Sequence, residues 1–120
     1  MQCPLDYSLC TQTITLYRKE NGTISRKVVD NCYLQWKDAH KTSPEGTQAQ
    51  RCFLLVMPCT LQDVFPGDRI FAGIGPQICI ADWPAFIPAK VARLVQVEYA
   101  VPYFWEGKLC HVEAGRKFHS

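Results

Sequence analysis

Pro66-Gly67-Asp68-Arg69-Ile70-Phe71-Ala72-Gly73 constrains this chain more than any other stretch. Proline pre-sets a corner and glycine supplies the backbone angles of a tight turn, so the segment reads as turn, short apolar strand, second turn. Embedded in a chain that otherwise reads as alternating strands, such a unit points to a small β-barrel and to no catalyst.

The first strand starts at Thr13, where Ile14 and Leu16 alternate with Thr13, Thr15 and Tyr17. Asn21-Gly22 follows, the strongest short hairpin signal, because both residues accept positive φ. Asn21-Gly22-Thr23 also fits the N-glycosylation sequon, but the turn accounts for these residues. The returning strand carries Ile24, Val28 and Val29, then Cys32, Leu34 and Trp36, and the polar pair Asp30-Asn31 between its halves predicts a bulge.

Residues 37–50 read as a long polar loop, and 51–57 as a central strand or, by period alone, a short buried helix, ended by Pro58. Ile70 and Phe71 form a short strand, and Gly73-Ile74-Gly75-Pro76 predicts a second hairpin returning through residues 77–81. Residues 82–88 hold Pro84 and Pro88 beside Trp83, Phe86 and Ile87. They read either as a loop folded over one end of the barrel or as an apolar patch for a partner. Alternation from Val91 to Val101 predicts one long strand, with Pro102 marking an edge or an end. Residues 105–108 make a turn, and the last strand covers 109–114.

The expected fold is therefore all-β, a small antiparallel β-barrel of six or seven strands with long loops. Residues 1–12 are a leader, 13–115 a single barrel domain and 116–120 a tail. At 120 residues with 48% hydrophobic and 20% charged, the chain holds one core and has no disordered composition.

Function classes narrow by exclusion. Thirteen Lys and Arg against eleven Asp and Glu give +2, and the basic pairs Arg18-Lys19, Arg26-Lys27 and Arg116-Lys117 read as solvated edges. A nucleic-acid-binding barrel, with Tyr17, Tyr33 and Trp36 stacking bases, is the first alternative reading, and a secreted disulfide-linked domain is the second. The start, Met1-Gln2-Cys3-Pro4, has no charged region leading into an apolar one, so no signal peptide and a reducing compartment are expected. The longest apolar run, 52–59, is too short for a membrane helix.

Seven cysteines lack the close pairs of zinc modules, so no metal or cofactor is expected. Cys32, Cys52, Cys79 and Cys110 lie in apolar runs, where a free thiol behaves as a small buried hydrophobe. The histidines, His40, His111 and His119, carry no nucleophile signature, and His111 reads as a strand residue with a satisfied ring. Asp63 and Asp68 flank a turn, where carboxylates bond nearby amides. No catalytic residue is assigned.

Thr13-Ile14-Thr15-Leu16-Tyr17, Asn31-Cys32-Tyr33-Leu34-Gln35-Trp36, the strand ending in Pro58, the Pro66 to Gly73 unit and Gly107-Lys108-Leu109-Cys110-His111-Val112-Glu113 together resemble a known group. It comprises small proteins of phages and prophages of Gram-positive bacteria, classed as minor capsid or head-tail joining proteins. The cysteine load and the leader depart from that pattern. The resemblance implies a non-enzymatic virion component of the head-closure type, assembled in the host cytoplasm. Such a component forms a homo-oligomeric ring against portal, adaptor or tail proteins, contacts neither membrane nor specific nucleic acid, and is compatible with a monomer in isolation. It carries over no individual functional residue. The expected contact loops hold His40, Lys41, Thr42, Glu45 and Gln48 in one, and Trp83, Phe86 and Ile87 in the other.

Overall fold

The computed structural model of the chain describes residues 6–43 and 46–117, with the backbone alone over 38–43 and 46–50. Seven antiparallel strands form one sheet that curls into a half-barrel. They are β1 (Gln12–Glu20), β2 (Thr23–Ser43), β3 (Gly46–Pro58), β4 (Arg69–Ala72), β5 (Leu94–Gln96), β6 (Tyr99–Trp105) and β7 (Lys108–Arg116), in spatial order β5-β4-β1-β2-β3-β7-β6.

Turn chemistry places the hairpins. Asn21 and Gly22 take φ of 51° and 77° between β1 and β2, as the sequence predicts, and Glu106 and Gly107 repeat the geometry between β6 and β7. The Pro66-Gly67 turn is also where expected. Asp68 N–H donates to the Phe65 carbonyl at 3.1 Å, and Gly67 N–H donates to Val97 O at 2.8 Å, locking the turn against the segment after β5.

Curvature has a local cause. The β1–β2 register slips between Gln12 and Ile14, whose partners are Cys32 and Val29, so β2 carries the extra residue. Asn31 sits there at φ 59°, and the Thr13 hydroxyl donates to Asp30 Oδ1 at 2.7 Å, pinning the predicted bulge. Beyond it, β2 leaves β1 and pairs with β3. The opposite edge is bridged by chain continuity: Val97 N–H donates to Asp68 O beside β4, and Glu98 N–H donates to Gly115 O on β7.

The concave face is the main core, where Ile14, Leu16, Cys32, Leu34, Phe53, Leu55, Ile70, Val95 and Val112 meet. Simple alternation expects the other face of β1 to be open, yet Thr15 and Tyr17 are fully buried as well. The reason lies in residues 73–93, which form no second hairpin. They run as irregular chain with a 3-10 helix (Ile80–Ala85) over the outer face of β1.

Side chains of β1 and β2 take the hydrogen-bonding capacity that strand pairing would have used. Thr15 Oγ1 donates to Gly73 O and accepts from Gly75 N–H, both at 2.8 Å. The Tyr17 hydroxyl donates to Pro76 O at 2.6 Å, and Arg26 Nη2 donates to Gly75 O at 2.6 Å. Gly75 is needed for this approach, since a Cβ there would collide with the Tyr17 hydroxyl and crowd Phe71.

The long strand expected from Val91 is instead two short ones. Arg93 takes φ 67°, which ends extended structure before Leu94, and the sheet switch at Val97-Glu98 separates β5 from β6. Pro102 lies inside the edge strand β6, so it marks an edge and not an end.

Candidate assembly surfaces

Residues 37–50, expected as a polar loop, instead continue as paired backbone over 37–43 and 46–50, with 44–45 outside the described residues. The β2–β3 ladder runs from Lys37 opposite Cys52 to Ser43 opposite Gly46, whereas β7 meets β3 only from Phe53 onward and β1 meets β2 only up to Cys32. Among the described residues this stretch is a two-stranded arm, about 20 Å long at the usual strand rise. Periodicity missed it because periodicity reports a buried face, and two strands without a third layer need none. His40 pairs with Ala49, Lys41 with Gln48 and Thr42 with Thr47 along the arm, and Glu45 lies outside the described residues.

A second surface lies at the other end of the same sheet. Phe53 pairs with Arg116 and Pro58 with His111, so β7 runs away from the arm toward Lys108, and Lys108 pairs with Trp105. The β6–β7 tip therefore points opposite to the arm. There Tyr103, Phe104 and Trp105 are 43%, 62% and 44% exposed, beside exposed Val101, with a register slip between Tyr103 and Phe104. Sequence reasoning missed this group although a signal was present: three consecutive aromatics in a period-2 strand cannot all face one core.

The loop of Trp83, Phe86 and Ile87 does not protrude. Phe86 is 5% exposed and packs edge-on against Tyr17, centroids 4.7 Å apart, which makes it a clamp over the barrel wall. Trp83 and Ile87 are half-buried. Of the two readings of this segment, the loop folded over the barrel describes Phe86 and Trp83, which pack with Tyr17 and Leu94 on the outer face of β1. The base-stacking alternative loses Tyr17 to the same burial.

Two of the basic pairs are not merely solvated. Arg18 engages Asp68 and Asp63, and Arg26 holds Gly75 O. Arg69 lies against the indole of Trp83, Cζ 3.7 Å from the ring centroid. Its Nη1 donates to Trp83 O at 2.6 Å and Phe86 O at 2.7 Å, which holds the clamp in place. Burial lowers the Arg69 pKa from its ordinary value.

The leader ends in a docked turn. The Tyr7 hydroxyl lies 2.7 Å from His111 Nδ1, and His111 Nε2 lies 3.0 Å from Glu113 Oε2. In the neutral ring the carboxylate accepts from Nε2–H, and the Tyr7 hydroxyl then donates to Nδ1. Tyr103 stacks on the same ring, centroids 4.9 Å apart. His111, 1% exposed, is thus the satisfied strand histidine that its position predicts.

The nearby thiols are poor nucleophiles. Burial raises the pKa of Cys10 and Cys59 and pushes that of Cys32 up to about 12, and the thiolate is the reactive form. Cys10, Cys32, Cys52, Cys59 and Cys79 are free, whereas Cys110 is disulfide-bonded. That corrects the free-thiol expectation for Cys110, because pairing depends on proximity in space, which spacing does not report. Cys79 is no strand residue either: it is exposed at the start of the 3-10 helix, its N–H donating to Asp82 Oδ2 at 3.0 Å. Among the described residues no group of three His, Cys, Asp or Glu side chains is placed to hold a metal ion, and no helix is long and apolar enough to cross a membrane.

No family model, curated protein or solved structure matches this chain.

Proposed function

We propose that this protein is a structural virion component of the head-tail connector region, of the head-closure or head-tail joining type, acting by protein-protein assembly. The observation that carries the reading is the placement of two unlike surfaces at opposite ends of one sheet: the two-stranded arm and the aromatic tip Tyr103-Phe104-Trp105. A protomer of a ring needs two different patches, because head-to-tail contacts join unlike surfaces and must close on themselves. An elongated shape of 53 × 33 × 23 Å gives such a protomer reach to neighbours above and below the ring as well as beside it.

Each surface also has a physical reason to seek a partner. A hairpin of two strands is marginal on its own in water, and contact with a neighbouring chain supplies the missing layer. Exposed aromatics at a strand edge bury well against another protein, and Tyr and Trp are enriched in interface cores. The resemblance to phage joining proteins names the partners: further copies of the chain, then portal or adaptor and tail proteins. The chain acts in the virion after assembly in the bacterial cytoplasm.

Immunogold labelling of purified virions tests the reading. Label at the head-tail vertex is expected, and virions without label, or with label spread over the capsid surface, overturn it.

A further inference from the structure

The groove beside the Pro66-Gly67 turn has a volume of about 590 Å³ and is lined by Arg18, Lys19, Phe65, Asp68, Arg69 and Trp83 among others. Two arginines line it, in different states. Arg18 presents its Nε and Nη2 edge to Asp68, filling that fork with both carboxylate oxygens at 2.9 and 2.7 Å. Arg69 is 8% exposed, and its two hydrogen bonds both leave from Nη1 to backbone carbonyls. Its Nε is buried without any hydrogen-bond partner, and no carboxylate among the described residues forms an ion pair with it.

A buried donor without an acceptor is rare in folded proteins and calls for a missing partner. Here the missing partner belongs to a cation, since Arg69 forms no ion pair with a carboxylate of the described residues. We propose that this groove is a binding site for an acidic side chain, Asp or Glu, presented by a partner protein, with Arg69 as its anchor and Trp83 as the wall beside it.

The chemistry selects that ligand over other anions. With Trp83 lying over one face of the guanidinium, approach to Nε lies in the guanidinium plane, and a planar carboxylate matches an in-plane fork. Asp68 and Glu20 also line the groove, and their charge opposes a dianion such as phosphate more than a monoanion. Phe65 and the Trp83 ring give apolar surface for the methylenes that carry the carboxylate. The inference does not depend on the connector role, because it is tested on the isolated chain.

The measurement is the Arg69 Nε–H resonance of the ¹⁵N-labelled full chain, identified through its contact with the Trp83 indole. It is followed during titration with acetyl-Ala-Glu-Ala-amide, its Gln counterpart, a free-carboxyl Ala tripeptide and inorganic phosphate. A saturable shift with the Glu peptide is expected, with the Gln peptide at least about tenfold weaker, as loss of a charge-assisted hydrogen bond requires. Arg69→Lys, which keeps charge but loses the fork, should weaken the Glu peptide by about tenfold. Because Arg69 also holds the Trp83 and Phe86 carbonyls, the Glu-against-Gln comparison on the unaltered chain decides the matter even if the variant does not fold. Four results overturn the proposal: no saturable shift, equal binding of Glu and Gln peptides, phosphate binding as tight as the Glu peptide, or binding confined to the chain-terminal carboxyl.

Discussion

Arg18 grips Asp68 side-on, Nε 2.9 Å from Oδ1 and Nη2 2.7 Å from Oδ2, and so ties β1 to the turn that launches β4. Asp68 is 3% exposed, and its Oδ2 also accepts the Phe65 N–H at 2.9 Å. The Pro66-Gly67 turn is therefore held by a carboxylate as well as by its own backbone angles. The pair raises the Arg18 pKa, chiefly through that hydrogen bond, so Arg18 stays charged at any working pH.

Asp68→Asn should destabilise the protein by about 1–3 kcal/mol, since it removes the buried one of Arg18's two counter-charges and leaves only Asp63, 3.3 Å from Nη1. Arg18 keeps some contact with solvent, which holds the loss below that of a fully buried pair. Urea denaturation should show a lower midpoint with an unchanged slope. A midpoint equal to that of the parent protein would contradict this role.

Gly75→Ala should cost about 1–3 kcal/mol, the usual range for forcing volume into a packed site. The added methyl collides with the Tyr17 hydroxyl, which must give up its bond to Pro76 O. Thermal unfolding measures the loss. A variant as stable as the parent would mean that residues 73–76 are not fastened to β1 as described.

Alkaline stability should follow Cys32. Burial holds this thiol protonated up to about 12 in the folded state, whereas its ordinary value is 9.0. The folded state then binds one more proton than the unfolded chain between those values, so the contribution is complete below about pH 9 and declines as pH rises toward 12. The stability difference between the parent and Cys32→Ala should shrink over that window. In the same range a thiol reagent should modify exposed Cys79 first and Cys32 only on unfolding. A constant difference, or early modification of Cys32, contradicts the account.

Tyr7→Phe removes the hydroxyl that bonds to His111 and should loosen the docked turn at residues 7–10 by about 1 kcal/mol. Hydrogen exchange at the Cys10 amide, which donates to Tyr7 O at 2.9 Å, should quicken while β7 amides keep their protection. Uniform exchange rates in the two proteins would show that Tyr7 does not anchor this turn.

Much of the barrel is legible in the residues, because turns and bulges are local. Asn21-Gly22, Asp30-Asn31 and Pro66-Gly67 each settle their own backbone geometry, and the strands between them follow. What stayed hidden depends on distant partners. Thr15 and Tyr17 look like an outward face until residues 73–93 are laid over them, and that covering rests on side-chain hydrogen bonds between residues nearly sixty positions apart. The arm hid for the opposite reason, since the sequence of residues 37–50 carries no apolar period to announce its paired backbone. Of the expected contact residues, the structure puts His40, Lys41, Thr42 and Gln48 on the arm but turns Phe86 inward. The aromatic group at 103–105 was readable from its run of three rings alone.

The central claim is that the arm and the Tyr103-Phe104-Trp105 tip join this protein into a head-tail connector. Electron microscopy of lysates from a phage carrying Phe104→Asp in this gene tests it most directly, since Phe104 is 62% exposed and its loss spares the core. With the purified variant shown to be folded, the account predicts filled heads and free tails accumulating unjoined. Normal tailed virions in parental yield would contradict it.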